Sequence, residues 1–214
     1  MSGCATTGAY RAGAPEGTID VIAHRGASAY APENTLAAFR LADEMAADWF
    51  ELDCTLTKDG HVIVIHDNTV DRTTNAEGSV ASLTLAELTE LDAGSWKDQK
   101  FAGERLPLLK EALDFAKGRI GIYIEIKDSA DDGELKRQIL DYGKDMQSLD
   151  RNGRQEVIRL IEARGSRNLE LTRKVVALVR ERGMEKGIVI QSFSPIVCAV
   201  TAIEAPEMRV ELLS

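Results

Sequence analysis

Short apolar runs alternate with longer amphipathic segments along most of the chain. The apolar runs predict strands at residues 19–23, 49–56, 61–67, 120–127, 187–193 and 208–213. Apolar residues recurring every three or four positions predict helices at about 36–47, 85–91, 107–117, 133–142, 154–163, 168–182 and 195–202. Strands that alternate with helices are typical of a parallel sheet, because each connection has to cross back over one face.

The strongly polar residues of these predicted strands lie mainly toward the C-terminal ends. They are His24, Arg25, Glu51, Asp53, His66, Glu125 and Lys127. In barrels of β/α units, the active site occupies the face that these strand ends form. The pattern therefore predicts an α/β fold whose polar residues converge on one face of the sheet.

The first strand ends in a histidine, an arginine and a glycine, and a polar loop follows it. In that loop Pro32 and Glu33 precede Asn34 and Thr35, and either of the last two can cap the following helix. Segment 19–47 is therefore predicted to form a strand, a functional loop and a helix.

Two carboxylates of the second strand, Glu51 and Asp53, are two positions apart and project from the same face. With Glu125 they provide three carboxylates, and no cysteine lies on that face. Oxygen ligands alone suit Mg²⁺ or Ca²⁺ better than structural Zn²⁺. The alternative is a cluster neutralised by Arg25 and Lys127 alone. A divalent cation would balance the remaining negative charge and leave both basic side chains for an anionic ligand.

Two histidines, His24 and His66, end predicted strands that are not adjacent in the chain. Because histidine ordinarily changes protonation near neutral pH, the pair suits the roles of general acid and general base. Two basic side chains, a divalent metal and two histidines together indicate phosphoryl chemistry. Phe193, near the end of the fifth strand, is a candidate pocket wall.

The composition limits the class of protein and its partners. The chain has 214 residues, 44% of them apolar, which is enough for one substantial core. A net charge of −9 argues against nucleic-acid binding through a basic surface. The sequence has no run of 18 apolar residues, so it predicts no transmembrane helix.

The chain is predicted to form one domain at residues 18–214, preceded by a disordered leader at residues 1–17. Within this domain a helical insertion is predicted at about 128–168.

The first residues allow two interpretations. Ser2, Gly3 and Cys4 precede a flexible tract and resemble the junction of a bacterial lipoprotein. This interpretation predicts a lipid anchor at Cys4 and a periplasmic or envelope-attached protein. The alternative is an ordinary chain start and a cytoplasmic protein.

Seven short motifs follow one another between residues 19 and 212. They are HRG at 24–26, PENT at 32–35, ELD at 51–53, TKDG at 57–60, HD at 66–67, EIK at 125–127 and SF at 192–193. Each motif is weak alone, but in this order and spacing the chain resembles the glycerophosphodiester phosphodiesterase family.

This resemblance implies a TIM (β/α)₈-type barrel. It also implies a divalent cation, Mg²⁺ or Ca²⁺, bound by the three carboxylates. The two histidines would act as acid and base, and Arg25 and Lys127 would bind the phosphate. The implied reaction is metal-dependent hydrolysis of a small-molecule glycerophosphodiester to glycerol 3-phosphate and an alcohol. Alternatives are a phospholipase D-type enzyme acting on lysolipids or sphingolipids, and a non-catalytic phosphate-binding scaffold.

The chain departs from the family pattern in two places. Members usually continue through two more strands, so the six predicted strands form a barrel that lacks its last two. The segment between EIK and SF is also longer than usual. Because six strands do not close a barrel of eight, we expect that the native chain continues beyond Ser214 or that a second copy covers the open edge.

Overall fold

The computed structural model describes residues 19–127, 132–142 and 146–214. The predicted leader, with Cys4, lies outside these residues, so the lipid anchor and the envelope location stay predictions. Part of the predicted helical insertion also lies outside them. Within the described part, no helix combines the length and the apolar character needed to cross a membrane.

The order of strands and helices along the chain follows the order that the sequence predicts. The strands are β1 (Ile22–Ala23), β2 (Trp49–Leu56), β3 (Val62–Val64), β4 (Gly121–Ile126), β5 (Ile188–Ser192) and β6 (Arg209–Leu212). The α-helices of the described residues are α1 (Leu36–Glu44), α2 (Leu85–Thr89), α3 (Leu109–Ala116), α4 (Gly133–Asp141), α5 (Arg151–Arg164), α6 (Arg167–Arg182) and α7 (Pro195–Glu204). Short 3₁₀ turns are present at Val80–Ser82, Gln99–Phe101, Met146–Ser148 and Glu185–Gly187.

Five of the strands form one parallel sheet in the order β1-β2-β4-β5-β6. Asp53, Glu125, Gln191 and Glu211 are in register across the four strands from β2 to β6. The C-terminal strand ends therefore lie along one rim, as in an arc of a β/α barrel. This arrangement confirms the predicted fold class.

The prediction of a parallel strand at 61–67 is wrong. Only Val62–Val64 forms a strand, and it pairs antiparallel with the end of β2. The connection at 57–61 is too short for the crossover that a parallel pair requires, so the chain can only form a hairpin. The hairpin brings the Ile65 amide back to donate to the Asp53 carbonyl at 3.0 Å. The parallel arc therefore has one strand fewer than predicted.

Three apolar clusters stabilise this arrangement. The largest fills the space between the sheet and helices α1, α3 and α6, and Phe39 of α1 stacks there on Phe50 of β2 with 4.3 Å between ring centroids. The second joins helices α4, α5 and α7. The third lies under the loops that follow β3. Cys54 is buried in the largest cluster, so alternate residues of β2 point away from the polar rim.

Candidate active site

The three predicted carboxylates form one buried cluster at the rim of the sheet. Glu51 and Asp53 project from the same side of β2, and Glu125 is the register partner of Asp53 on β4. One oxygen from each of the three lies within 4.8 Å of the others. The grouping predicted from the sequence is therefore present in the structure.

The electrostatics of the cluster are unfavourable without a cation. Glu51 is only 4% exposed, and within the described part of the chain its Oε1 atom has no hydrogen-bond partner. Burial, followed by the charge of Asp53, raises the pKa of Glu51 to about 8. A buried carboxylate oxygen without a donor is a position where a bound cation would be strongly stabilised.

This raised pKa predicts how the stability of the metal-free protein depends on pH. Folded Glu51 holds a proton that the unfolded chain releases above its ordinary pKa of 4.5. The protonation of Glu51 therefore contributes fully to the free energy of unfolding below pH 4.5, and this contribution is lost as the pH rises toward about 8. We expect the melting temperature in chelator to fall over this range by more than that of Glu51→Gln, which cannot titrate. Parallel curves for the two proteins would contradict this prediction.

Two basic side chains contact the cluster. Lys127 Nζ lies 2.6 Å from Glu125 Oε1 and 3.3 Å from Asp53 Oδ1, and Arg25 Nε lies 3.4 Å from Asp53 Oδ2. Burial lowers the pKa of Lys127, but its hydrogen bond to Glu125 and the nearby charges outweigh this effect, so the net shift is upward. Both side chains are about one fifth exposed and can reach an anion that enters from solvent.

The loop between β1 and α1 is folded tightly against the cluster. Arg25 has a φ of 57°, and its amide donates to Glu51 Oε2 at 2.8 Å. Gly26 has a φ of 75°, and a Cβ there would approach Ala38 to 2.7 Å. The sequence HRG thus places an arginine in a strained backbone conformation that aims its amide at a carboxylate, and only glycine fits next to it.

The predicted histidines occupy different parts of the site. His24 follows β1, is largely exposed, and has its Nε2 atom 3.9 Å from Glu51 Oε2. His66 follows β3 in the hairpin rather than ending a parallel strand, which corrects its predicted position. It lines a cavity of about 340 Å³ together with Glu125, Lys127 and Phe193. Phe193 is 55% exposed, so the predicted pocket wall lies at the open side of this cavity.

Asn34 is a site residue that the sequence analysis considered only as a helix cap. Its Nδ2 atom donates to Asp53 Oδ2 at 2.8 Å, and its Oδ1 atom accepts from the Asp53 amide at 3.2 Å. The cap is Thr35, whose side chain accepts from the Ala38 amide. The φ of Asn34 is 59°, a conformation that asparagine tolerates better than most residues. No spacing in the sequence distinguishes this role from capping.

Three further charged residues were not predicted as site residues, although Glu33 and Asp67 belong to the PENT and HD motifs. Glu33, Asp67 and Arg72 form a chain of ion pairs that runs from Arg25 to His66. Arg72 and Glu33 are 39 positions apart in the sequence. No periodic signal in the sequence could have indicated this contact.

Fold and site together define a β/α-barrel type of protein with a cluster of carboxylates, histidines and basic side chains at the C-terminal ends of its strands. A sequence profile of the Glycerophosphoryl diester phosphodiesterase family matches residues 24–156, which is more than half of the chain. The chain belongs to this family.

Three relatives illustrate the similarity. A glycerophosphodiester phosphodiesterase of Caldanaerobacter subterraneus is 61% identical over 94 residues, which cover 44% of this chain and 39% of that protein. The crystal structure of a glycerophosphodiester phosphodiesterase of Agrobacterium tumefaciens has a TM-score of 0.66 and 35% identity, covering 90% of this chain and 66% of that one. A phosphodiesterase of Oleispira antarctica, solved with its product sn-glycerol-3-phosphate, has a TM-score of 0.69 and 28% identity, covering 90% and 64%. In each comparison this chain spans less than two thirds of the relative's length.

Proposed function

We propose that this chain carries the active site of a metal-dependent phosphodiesterase that hydrolyses glycerophosphodiesters to glycerol 3-phosphate and an alcohol. The observation that supports it most is the buried carboxylate cluster, in which an oxygen of Glu51 has no hydrogen-bond partner among the residues that the structure describes. Two basic side chains and two histidines surround this cluster. Membership of the phosphodiesterase family supports the same reaction class.

The proposed metal is Mg²⁺ or Ca²⁺, held by Glu51, Asp53 and Glu125. All three offer carboxylate oxygens, the ligands that hard divalent cations prefer, and their close approach suits one ion. When bound, such an ion would polarise a phosphoryl oxygen and stabilise the charge that develops on it.

The basic side chains are proposed to bind the phosphate. Arg25 and Lys127 both contact the cluster and both remain partly open to solvent. Hydrogen bonds from a guanidinium or an ammonium to phosphate oxygens are charge-assisted and therefore strong. In this position the two side chains would hold the diester against the cluster and offset the charge on its oxygens.

The histidines are proposed to move the two protons that the reaction requires. One imidazole takes the proton of the attacking oxygen, which belongs to water or to the neighbouring glycerol hydroxyl. The bond from phosphorus to the leaving alcohol breaks, and the other imidazole donates a proton to the alkoxide. Attack by the glycerol hydroxyl forms a cyclic phosphate, which water then opens. His24 lies beside Glu51, and His66 lines the cavity with Glu125. The two histidines therefore lie at different parts of the site, as the roles of acid and base require.

Water-soluble and lipid substrates can be separated in one assay. The full-length protein is incubated with Mg²⁺ or Ca²⁺ and either glycerophosphocholine or lysophosphatidylcholine, and glycerol 3-phosphate and choline are measured. We expect equal amounts of both products from glycerophosphocholine. Choline from the lysolipid without glycerol 3-phosphate from either substrate would favour a phospholipase D-type enzyme. No product from either substrate would favour the phosphate-binding scaffold and overturn the proposal.

A further inference from the structure

Arg72, in the loop after β3, contacts two carboxylates that lie on opposite sides of it. Its Nε and Nη2 atoms donate to both oxygens of Asp67, at 2.7 and 3.2 Å. Its Nη1 and Nη2 atoms donate to both oxygens of Glu33, at 2.9 and 2.7 Å. The guanidinium therefore makes two bidentate contacts, a geometry that a planar five-donor group can form and an ammonium cannot.

On one side, Arg72 holds the carboxylate of Asp67, which in turn contacts the ring of His66. Asp67 is a carboxylate at neutral pH in any case; the hydrogen bonds from Arg72, which lower its pKa further to about 2, hold both of its oxygens in place. A carboxylate can only accept, so His66 Nδ1, 2.6 Å from Asp67 Oδ1, has to carry a hydrogen. In the neutral imidazole, Nε2 is then the unprotonated atom that can act on substrate in the cavity.

On the other side, the contact reaches the proposed phosphate-binding arginine. Glu33 Oε1, which accepts from Arg72, also accepts from Arg25 Nη1 at 2.9 Å. Arg25 in turn contacts Asp53 of the carboxylate cluster. The loop that carries His66 and the loop that carries Arg25 are thereby joined through one side chain.

We propose that Arg72 is a positioning residue for the reaction: by binding Asp67 and Glu33 together, it orients His66 and holds Arg25 beside the cluster. This inference rests on the proposed function. An ordinary surface ion pair contributes little to the free energy of unfolding. Arg72 is 45% exposed, so a large effect on catalysis without a comparable effect on folding distinguishes positioning from simple stabilisation.

The chain offers a matched control in Arg173 of α6. Its guanidinium also joins two carboxylates, Glu162 and Glu204, and it is 41% exposed, but neither of these partners is a residue of the proposed site. Arg173→Gln removes an equivalent pair of contacts and is expected to leave kcat unchanged. Arg72→Gln is expected to lower kcat roughly 10- to 100-fold, the usual loss when a residue that orients a site ligand is removed. Arg72→Lys keeps the positive charge but loses the planar guanidinium, and its kcat is expected to lie between those of the wild type and Arg72→Gln.

Nitrogen NMR of the imidazoles tests the link to His66 without relying on activity. The chain has three histidines, so ¹⁵N-histidine labelling gives three assignable rings. We expect His66 to show a protonated Nδ1 in the wild type and in Arg173→Gln, and a mixture of tautomers in Arg72→Gln. An unchanged His66 spectrum in Arg72→Gln would overturn the proposal, whatever happens to kcat.

A double-mutant cycle with Asp67→Asn tests whether the two residues act as one unit. If Arg72 works through Asp67, the two losses in kcat are less than additive, whereas fully additive losses would contradict the proposal. The proposed function fails separately: a wild-type protein that hydrolyses neither substrate would overturn it, while the NMR comparison would still decide the link from Arg72 to His66.

Discussion

Glu51→Gln is expected to reduce Mg²⁺ or Ca²⁺ binding and diester hydrolysis by more than about 100-fold, because even residues that only support metal ligands cost 10- to 100-fold when removed. The substitution is nearly isosteric. The amide oxygen of glutamine can still accept from the Arg25 amide, which binds Glu51 Oε2, but glutamine cannot ionise to bind a cation as a carboxylate. The loss is therefore expected in cation binding rather than in folding.

Calorimetric titration with each cation and kcat measured in excess cation check this prediction together. A chelator is expected to abolish wild-type activity, and added Mg²⁺ or Ca²⁺ to restore it. Glu170→Gln is a suitable control, because Glu170 is an exposed carboxylate on α6 paired with Lys174. A chelated wild-type enzyme with full activity would show that the carboxylates do not act through a metal.

His24→Ala and His66→Ala are each expected to lower kcat by roughly 10²- to 10⁴-fold, the usual contribution of a general acid or base. Both side chains contact the open part of the site rather than the apolar core, so melting temperatures are expected to change little. Circular dichroism melts and steady-state kinetics on the same preparations separate the two effects.

His61 provides the control for both histidines. It precedes β3, is half exposed, and its Nε2 lies 3.8 Å from Asp59 on the surface. His61→Ala is expected to keep wild-type kcat within a factor of about two, because surface substitutions away from a site are usually small in effect. Comparable losses at all three positions would mean that removing a histidine acts through the fold.

The sequence alone was sufficient for the features that depend on local periodicity. Glu51 and Asp53 alternate with apolar residues on a strand, so a period of two already places both on one face. Because the helices are long enough to serve as crossovers, neighbouring strands were expected to be parallel, and this placed Glu125 at the same rim. The approximate helix bounds followed from apolar spacing for the same reason.

Only the tertiary structure decided the contacts between residues distant in the chain. The short connection at 57–61 already limits the segment at 61–67 to a hairpin, but how little of it pairs, Val62–Val64 with the end of β2, is visible only in the structure. Asn34 binds Asp53 from 19 positions away, and Arg72 binds Glu33 from 39. Such contacts leave no periodic trace in the sequence, because they depend on where two loops meet after the sheet has formed. The sequence therefore determined which residue types face the rim, and the packing of loops over that rim determined which of them contact one another.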